Sequence, residues 1–393
     1  MFEGVSSLPA VIKVTTNKVN NRHMEFTVRK FDLLQELTLI QGVVERKTTI
    51  PILANVLIKA EGGELGIIAT DLEIGLKSVC PSKTTVPGTV TLPAKRLYEI
   101  VRALPDKEIK FKRGEANWVT VTCGSSRFRI AGLPQEDFPA LPEAKPSSGK
   151  IPADVLAKLM SRTIFAISTE DSKYTLSGAL LLLKPGSITM VATDGHRLAH
   201  VEKAEALDDV SEEIKVLVPK KAMAEIIRMI SESSDVERIG FSRDDNHLFF
   251  DMGKRLLISR MLTGQFPNYE AVLPRGNDRT FLVNREEITA AIKRVAILSD
   301  ERSRTIKLAV GKGTLEITAS HSDLGEANET MEVDYDKEDL QVGFNYQYLL
   351  DFLTTADEPE VSFEFKDSES AAQLRVQPSS DYNCRYVVMP MRI

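Results

Sequence analysis

The residues best placed for chemistry lie in the segment ATDGH, where Asp194 and His196 stand two positions apart. A histidine near a carboxylate can act as a general base, which would suggest a hydrolase that uses His196. No G-x-S-x-G nucleophile motif accompanies the pair. An earlier segment, ATDLE, repeats the aspartate as Asp71, followed by Leu72 and Glu73. A repeated aspartate in a repeated turn is typical of a turn former, so catalysis is the least favoured interpretation.

Motifs for other reactions are missing from the sequence. It contains no Walker A loop, no dinucleotide glycine fingerprint and no H-E-x-x-H. Cys80, Cys123 and Cys384 are too far apart for a metal knuckle, and we expect them to be reduced thiols. The sequence therefore predicts a protein that is not an enzyme and has no cofactor and no metal. Any ATP-driven step would need a separate protein.

Composition limits the partners and the location. The net charge is −6 with 27% charged residues, so contact with nucleic acid would need a local basic surface on an acidic body. No run approaches the roughly 20 apolar residues of a membrane span, so we expect no membrane partner. Residues 1–23 are mixed and polar, without the apolar stretch of a signal peptide. We expect either a flexible extension or a misassigned start there, and a cytoplasmic protein.

Three types of segment recur three times in the same order, which indicates internal repeats. Each repeat opens with a predicted helix, at residues 26–44, 151–168 and 281–300. A predicted strand pair with a glycine-containing turn follows, at residues 53–73, 177–197 and 306–326. A second predicted helix comes next, at residues 92–104, 218–230 and 344–355. Asn284, with Glu287 three positions later, resembles a capping box.

The repeats predict an α+β fold in which helices lie on one face of antiparallel sheets. We place domain 1 at residues 24–145, domain 2 at 146–277 and domain 3 at 278–393. Three such domains in tandem form either separate beads or an arc, and repetition alone does not decide between these arrangements.

Several segments, in the correct order, carry a family resemblance. They are SRFRIAGLPQEDFPALP (126–142), ATDGHRLA (192–199), GQFPNYEAVLP (264–274), GFNYQYLLDFL (343–353) and YVVMPMRI (386–393). From Met24 to Ile393 the chain resembles the bacterial sliding clamp, the beta subunit of DNA polymerase III. The resemblance implies the DNA clamp fold, with two chains joined head to tail in a ring, helices inside and sheets outside.

The resemblance also implies a function. The homodimer would encircle double-stranded DNA without sequence preference and confer processivity on the replicative polymerase. Its partners would be the DNA polymerase III alpha subunit, the clamp loader, and other polymerases and repair proteins that carry short peptide motifs.

The implied partner-peptide pocket combines an apolar groove with a few polar groups. Its residues are Leu176, Thr193, Gly195, His196, Arg197, Leu198, Pro267, Val272, Asn345, Tyr348, Val387, Val388, Met389, Pro390, Met391, Arg392 and Ile393. From the residues alone, VVMPM is equally well a buried last strand. Ala271 and Ala371 depart from the family pattern, so peptide preference is left open.

The implied DNA surface consists of basic residues, several of them on the repeated helices, and one tyrosine. They are Arg46, Lys47, Lys95, Arg102, Lys173, Tyr174, Lys220, Lys221 and Arg228. Phosphate contacts of this kind are salt-sensitive and allow sliding. The alternative for such residues is a solvated helix face. The alternative function is a DNA-independent repeat scaffold that binds peptides at its C-terminal groove.

The implied seam between subunits pairs an edge strand of domain 1 with domain 3 of the other chain. Its residues are Arg96, Phe128, Ile130, Ile297, Leu298, Asp323 and Glu326. Pairing would satisfy strand edges that are otherwise exposed. The alternative is that the apolar members are ordinary core residues.

Overall fold

The computed structural model describes residues 23–44, 49–170, 172–207, 209–233, 235–378 and 381–392. These residues form α-helices and antiparallel sheets, so the predicted α+β class is confirmed. The helices are α1 (Lys30–Ile40), α2 (Ala94–Ala103), α3 (Ala153–Ser161), α4 (Lys220–Ser231), α5 (Arg285–Val295) and α6 (Tyr346–Thr355). The strands are β1 (Met24–Arg29), β2 (Asn55–Glu61), β3 (Glu64–Thr70), β4 (Ile74–Pro81), β5 (Lys83–Val86), β6 (Gly88–Pro93), β7 (Glu108–Arg113), β8 (Trp118–Cys123), β9 (Ser126–Ala131), β10 (Gly149–Pro152), β11 (Gly178–Lys184), β12 (Ser187–Thr193), β13 (Arg197–Ala204), β14 (Ile214–Pro219), β15 (Arg238–Arg243), β16 (His247–Asp251), β17 (Arg255–Arg260), β18 (Arg279–Asn284), β19 (Thr305–Gly311), β20 (Thr314–His321), β21 (Gly325–Glu332), β22 (Leu340–Asn345), β23 (Glu360–Phe365), β24 (Ala372–Gln377) and β25 (Tyr382–Val388).

Each repeat opens with a strand, so the prediction of a helix along the whole opening segment was wrong. β1, β10 and β18 lead directly into α1, α3 and α5. Buried and more exposed residues alternate along β1 and β18, because alternate side chains of a strand face the core. Helical spacing starts only afterwards, with Leu33 and Leu37 fully buried on α1. The Asn284 half of the predicted capping box is confirmed: its side chain accepts hydrogen bonds from the backbone N–H groups of Glu286 and Glu287.

The predicted strand pairs and second helices are present. β2 pairs with β3, β11 with β12 and β19 with β20, all antiparallel and each across a short turn that contains glycine. The second helices α2 and α4 begin directly after Pro93 and Pro219. α6 lies within the third predicted segment. The third copy is therefore recognisable in structure although its sequence has diverged most.

The described residues divide into two compact units. The first runs through Ser148 and also includes Arg228–Arg260. In it, β5-β1-β7-β8-β9 form one sheet, and β15-β16-β17-β4-β3-β2-β6 lie in that order in another. β17 pairs with β4, with Leu257 opposite Leu76. This pairing explains why Arg228–Arg260 belongs with residues far earlier in the chain.

A buried ion pair joins α1 to β17 inside the first unit. The Glu36 and Arg255 side chains are only 6% and 8% exposed. The Arg255 Nη2 and Nε atoms donate to the two Glu36 carboxylate oxygens at 2.7 and 3.0 Å. Nη1 of the same arginine donates to Ser233 Oγ at 2.5 Å. The bidentate geometry compensates the desolvation of both charges.

The second unit comprises Gly149–Ile227 and Met261–Ile393. One of its sheets has the order β14-β11-β12-β13-β25-β24-β23-β18, and the other has the order β21-β20-β19-β22. All residues of β11 except Lys184 are buried. A strand buried on both faces needs cover on both sides, and on one side that cover is the apolar cluster described below.

The domain limits predicted at residues 145 and 277 stay predictions, because the compact units follow strand pairing and not the sequence repeat. Except for His23, the predicted flexible extension of residues 1–23 lies outside the described residues.

No α-helix in the described ranges is long and apolar enough to cross a membrane. The three cysteines are buried and unpaired, and no cluster of metal-ligating side chains occurs among the residues described.

Candidate functional site

The turn that carries Asp194 connects β12 to β13. Asp194 Oδ1 accepts hydrogen bonds from the backbone N–H groups of His196 and Arg197 at 2.9 and 3.1 Å. Thr193 Oγ1 donates to the Arg197 carbonyl at 2.6 Å. The first repeat contains the same pattern, since Asp71 Oδ1 accepts from two backbone N–H groups. The prediction that the repeated aspartate forms a turn is confirmed, and the turn gives the hydrolase interpretation no support.

The Arg197 side chain is fixed from every side. Its guanidinium donates to Asp194 Oδ2 at 2.9 Å, to Asp351 Oδ2 at 2.5 Å and to the Phe165 carbonyl at 2.6 Å. It also lies 4.4 Å from the centre of the Tyr348 ring. Burial opposes the charge, but the hydrogen bonds and neighbouring anions outweigh it and raise the arginine pKa above its ordinary value. Arg197, at the start of β13, is therefore held against Tyr348 and Asp351 of α6.

An apolar cluster forms the floor of the candidate groove. Leu198 of β13 lies opposite Val387 of β25, and both are almost completely buried. The other buried members are Leu180, Leu182, Val191, Leu217 and Phe266. Partly buried Leu176, Leu262, Tyr269, Leu273 and Ala371 pack against them. Three residues predicted for the pocket, Leu176, Leu198 and Val387, therefore belong to one cluster.

The segment 266–274 contributes one wall. Phe266 is buried in the floor, whereas Pro267 is exposed and Val272 is 45% exposed. Sequence reasoning named Pro267 and Val272 but missed Phe266 and Tyr269. The signal was available in the spacing of apolar residues along GQFPNYEAVL, but sequence alone does not show which of them turn inward.

The C-terminal residues split into a buried strand and an anchored tail. Val388 is fully buried, and strand alternation directs it to the face opposite Val387. The last-strand alternative is thus correct for Val387 and Val388, which are both buried in β25. The Met389 N–H donates to the His196 carbonyl at 2.9 Å, and the Met391 N–H donates to the Gly343 carbonyl at 2.8 Å. Met389 keeps 43% of its surface exposed.

The remaining pocket residues lie around these anchors. Pro390 is half-buried and Arg392 is exposed, and Ile393 lies outside the described residues. Gly195 has φ +93°, a conformation that favours glycine. The Asn345 side chain accepts a hydrogen bond from the Gln347 N–H at 3.0 Å, so it caps α6. The structure thus places Leu176, Leu198 and Val387 in one cluster, Tyr348 against Arg197 and Met389 beside His196. The complete peptide pocket stays a prediction.

The predicted DNA-contacting residues differ in their surroundings. Lys95 and Arg102 are exposed on α2. Lys220 and Lys221 are half-buried at the start of α4. Arg228 donates to the Thr38 and Leu39 carbonyls near the end of α1, where a cation stabilises a helix terminus.

The other predicted DNA residues lie in loops. Lys173 Nζ donates to Glu170 Oε1 at 3.0 Å and to the Asp194 carbonyl at 3.1 Å. Tyr174, next to it, is 52% exposed. Arg46 and Lys47 lie outside the described residues.

The predicted seam residues of domain 1 lie at the edge of a sheet. β9 is the last strand of its sheet in the described structure. Phe128 and Ile130 face the core side of β9, with 36% and 9% of their surfaces exposed. Arg96 donates to Glu99 Oε2 at 2.8 Å on its own helix. Of the two apolar residues, Phe128 retains the larger exposed surface.

The predicted seam residues of domain 3 surround the edge strand β21. Ile297 is 75% exposed, whereas Leu298 is half-buried. Asp323 and Glu326 are exposed at the start of the strand. The core-residue alternative therefore fits Ile130 better than Ile297.

Known proteins match this chain from residue 24 to residue 392. Models of the DNA polymerase III beta subunit match its N-terminal domain at residues 24–142, its central domain at 150–268 and its C-terminal domain at 270–392. The beta sliding clamp of Pseudomonas aeruginosa is 37% identical over 372 residues, which cover 94% of this chain and 100% of that protein. The beta sliding clamp of Caulobacter vibrioides is 38% identical over 379 residues, again 94% and 100% of the two chains.

Solved structures agree with this result. The sliding clamp of Pseudomonas aeruginosa bound to griselimycin superposes with a TM-score of 0.88 at 37% identity, covering 94% of this chain and all of that one. The sliding clamp of Bartonella birtlesii bound to griselimycin gives 0.89 at 34% identity, covering 95% and 100%. The fold is that of a sliding clamp with three tandem domains. The chain belongs to the DNA polymerase III beta subunit family.

Proposed function

We propose that two copies of this chain close head to tail into a ring around double-stranded DNA and hold polymerases on it through the groove over Leu198 and Val387. The ring acts in the cytoplasm as a processivity factor and catalyses no reaction. Its partners are the DNA polymerase III alpha subunit, the clamp loader and other polymerases and repair proteins.

The observation that carries the tethering role is the apolar floor between exposed walls. Leu198 and Val387 lie side by side on neighbouring strands. Val272 and Met389 remain almost half exposed, and each lies a few positions along the chain from a residue of the floor. Val and Met side chains form an adaptable apolar surface. A short peptide with apolar anchors would cover it, as peptides in other grooves cover theirs.

Two open sheet edges with opposite charge support ring closure. On β9, Arg127 and Arg129 alternate with the core-facing Phe128. On β21, Glu326 and Glu332 lie on the face opposite the core. Antiparallel addition of β9 of one copy to β21 of the other would satisfy both edges and oppose arginines to glutamates. A contact between different surfaces closes into a finite dimer when it occurs twice.

Exposed cations on the helices support contact with DNA. Lys95 and Arg102 extend from α2 into solvent, and Arg102 stacks over Tyr98 with its guanidinium 5.3 Å from the ring centre. Contacts with phosphates carry no sequence information and weaken with salt. Such contacts guide the ring along DNA, whereas closure of the ring prevents the protein from leaving the DNA.

Light scattering after gel filtration tests ring closure. The wild-type chain should have the mass of a dimer at micromolar concentration, and the double variant Arg127→Glu, Arg129→Glu should have the mass of a monomer. Adding Glu326→Lys and Glu332→Lys to the same chain should restore the dimer. A monomeric wild type, or a charge-reversed variant that dimerises as tightly, would contradict the proposed seam. Peptide binding without a dimer would leave the DNA-independent scaffold as the better description.

A further inference from the structure

His200 occupies a position inside the apolar face of the groove. On β13 it lies two residues after Leu198, so both side chains lie on the same face of the sheet. Strand register places His200 opposite Val191, and Val191 opposite Leu180. Both of those residues belong to the groove floor. A single imidazole therefore continues a row of aliphatic side chains.

This imidazole is buried with an unsatisfied nitrogen. His200 is 6% exposed, and its Nδ1 atom has no hydrogen-bond partner among the described residues. An unsatisfied buried polar atom costs free energy that a valine or leucine would avoid. Such atoms are uncommon in folded proteins, and each calls for an explanation.

A residue in contact with His200 belongs to the groove wall. The Tyr269 ring centre lies 5.7 Å from that of His200. Tyr269 also packs against the floor cluster and is only half-buried. It lies in a three-residue 3-10 turn between the predicted peptide contacts Pro267 and Val272. Rotation of one half-exposed side chain would connect His200 to the groove.

We propose that His200 forms a polar subsite of the groove, which receives a hydroxyl or carboxamide side chain of a partner peptide once Tyr269 turns aside. The proposal rests on the proposed peptide-tethering function and adds a determinant of which peptides bind. The peptide group completes the hydrogen bonding of Nδ1 in either tautomer, because hydroxyls and carboxamides both donate and accept.

The charges around His200 favour an uncharged ligand group. Arg385 lies opposite it on β25, Glu202 follows two residues later on the same face, and Glu270 is next to Tyr269. These charges oppose one another in sign, so neither a carboxylate nor an ammonium is clearly favoured. Arg385 is also engaged, since its Nε donates to Gln373 Oε1 at 2.7 Å. Burial further disfavours a charged group.

The test uses fluorescein-labelled hexapeptides that share one leucine and one phenylalanine anchor. At each of the other positions in turn, a peptide with threonine is compared with one that carries the nearly isosteric valine. Binding is measured by fluorescence anisotropy with the dimeric full-length protein. At one position threonine should bind about two- to tenfold more tightly than valine, the range of a neutral hydrogen bond. His200→Leu should abolish this preference, whereas His200→Asn, with a carboxamide near the Nδ1 position, should retain part of it.

A matched control uses Thr189→Val, because Thr189 is another buried polar residue on the same face of the sheet, on β12. This variant should keep the threonine preference. Thermal unfolding of each variant shows whether it is folded. An unchanged preference in folded His200→Leu, or no preference in the wild type, would overturn the subsite while the groove stands. Failure of every hexapeptide to bind the wild type would instead refute the groove.

Discussion

Replacing Glu36 by glutamine should destabilise the first compact unit more than any change at an exposed ion pair. The substitution keeps the side-chain shape but removes the charge that faces Arg255. Both side chains are more than nine-tenths buried, and two hydrogen bonds of 2.7 and 3.0 Å join them. The variant leaves the Arg255 guanidinium buried with one neutral amide oxygen and Ser233 Oγ as acceptors.

The expected loss can be bounded from the structure. Breaking a buried pair by removing one partner costs about 3–5 kcal/mol. A polar cleft of about 110 Å³, lined in part by Asp32, Gln35 and Lys254, adjoins the pair. Water in such a cleft can solvate part of the stranded charge. We therefore expect the free energy of unfolding to fall by the lower figure, about 3 kcal/mol. This loss lowers the ratio of folded to unfolded protein more than a hundredfold.

The assay is equilibrium urea unfolding followed by tryptophan fluorescence. Trp118 is the one tryptophan in the sequence and lies in β8 of the first unit, so its emission reports on that unit. Lys83→Gln is the control, because the Lys83 and Glu108 side chains of that ion pair are 78% and 50% exposed. Exposed pairs contribute little to stability, so this variant should unfold with the wild type.

A double variant separates the cost of an unpaired charge from the contribution of the pair. Glu36→Leu with Arg255→Met removes both charges and should be close to the wild type in stability, since apolar replacement of a buried pair is often neutral or better. A loss below about 1 kcal/mol for Glu36→Gln, or a double variant as unstable as the single one, would refute this reasoning.

Three further predictions concern local strain, the groove wall and pH. Leu72 has φ +78° and is 54% exposed. Leu72→Gly should relieve about 1–2 kcal/mol of backbone strain, which exceeds the cost of the greater conformational entropy of the unfolded chain. The urea midpoint should therefore rise, and a lower midpoint would contradict this. Asp351→Asn removes a charged partner of Arg197 and should cost about 2 kcal/mol and weaken hexapeptide binding; unchanged affinity would show that Arg197 does not position the wall. Burial lowers the pKa of His200 below its ordinary value, so its stability contribution is complete above the unfolded-state pKa of about 6.5 and is lost as pH falls through the folded-state pKa. His200→Leu should therefore lose less stability than the wild type between pH 7.5 and pH 5, as measured by urea midpoints, and an equal loss would count against a neutral buried imidazole.

Local patterns predicted much of the fold. Helical spacing located the six described α-helices, and the repeated Gly turns located the strand pairs. The openings of the repeats were mistaken for helix, because an alternating stretch of four to six residues such as FTVR or FLVN directly precedes a longer helical pattern. The periodicity of the helix dominated that window.

Contacts between distant residues were not predictable from the sequence. Arg197 meets Asp351 across 154 positions, and Arg255 meets Glu36 across 219. Arg228 donates to carbonyls near the end of α1, a contact that the sequence did not indicate, and its contact with DNA stays a prediction. In each case the sequence shows a charged side chain, but only the fold determines its partner.

The candidate groove, which stays a prediction, followed from the family resemblance and only in part from the residues themselves. The resemblance identified Leu198 and Val387, which lie together in the floor. It did not identify Phe266 or Tyr269, because single apolar residues in a loop do not reveal which way they face. His200 gave no sequence signal, since a histidine within RLAHVEKA is equally compatible with an ordinary strand.

The most direct test of the account is retention of the protein on circular and linear DNA. The protein is loaded on a nicked circular plasmid by the clamp loader of the same bacterium with ATP, then passed through a gel-filtration column in high salt. A closed ring should elute with the circle and dissociate after a single restriction cut, because phosphate contacts alone are weak in high salt. Equal loss from circular and linear DNA, or equal retention on both, would contradict a topological hold on DNA.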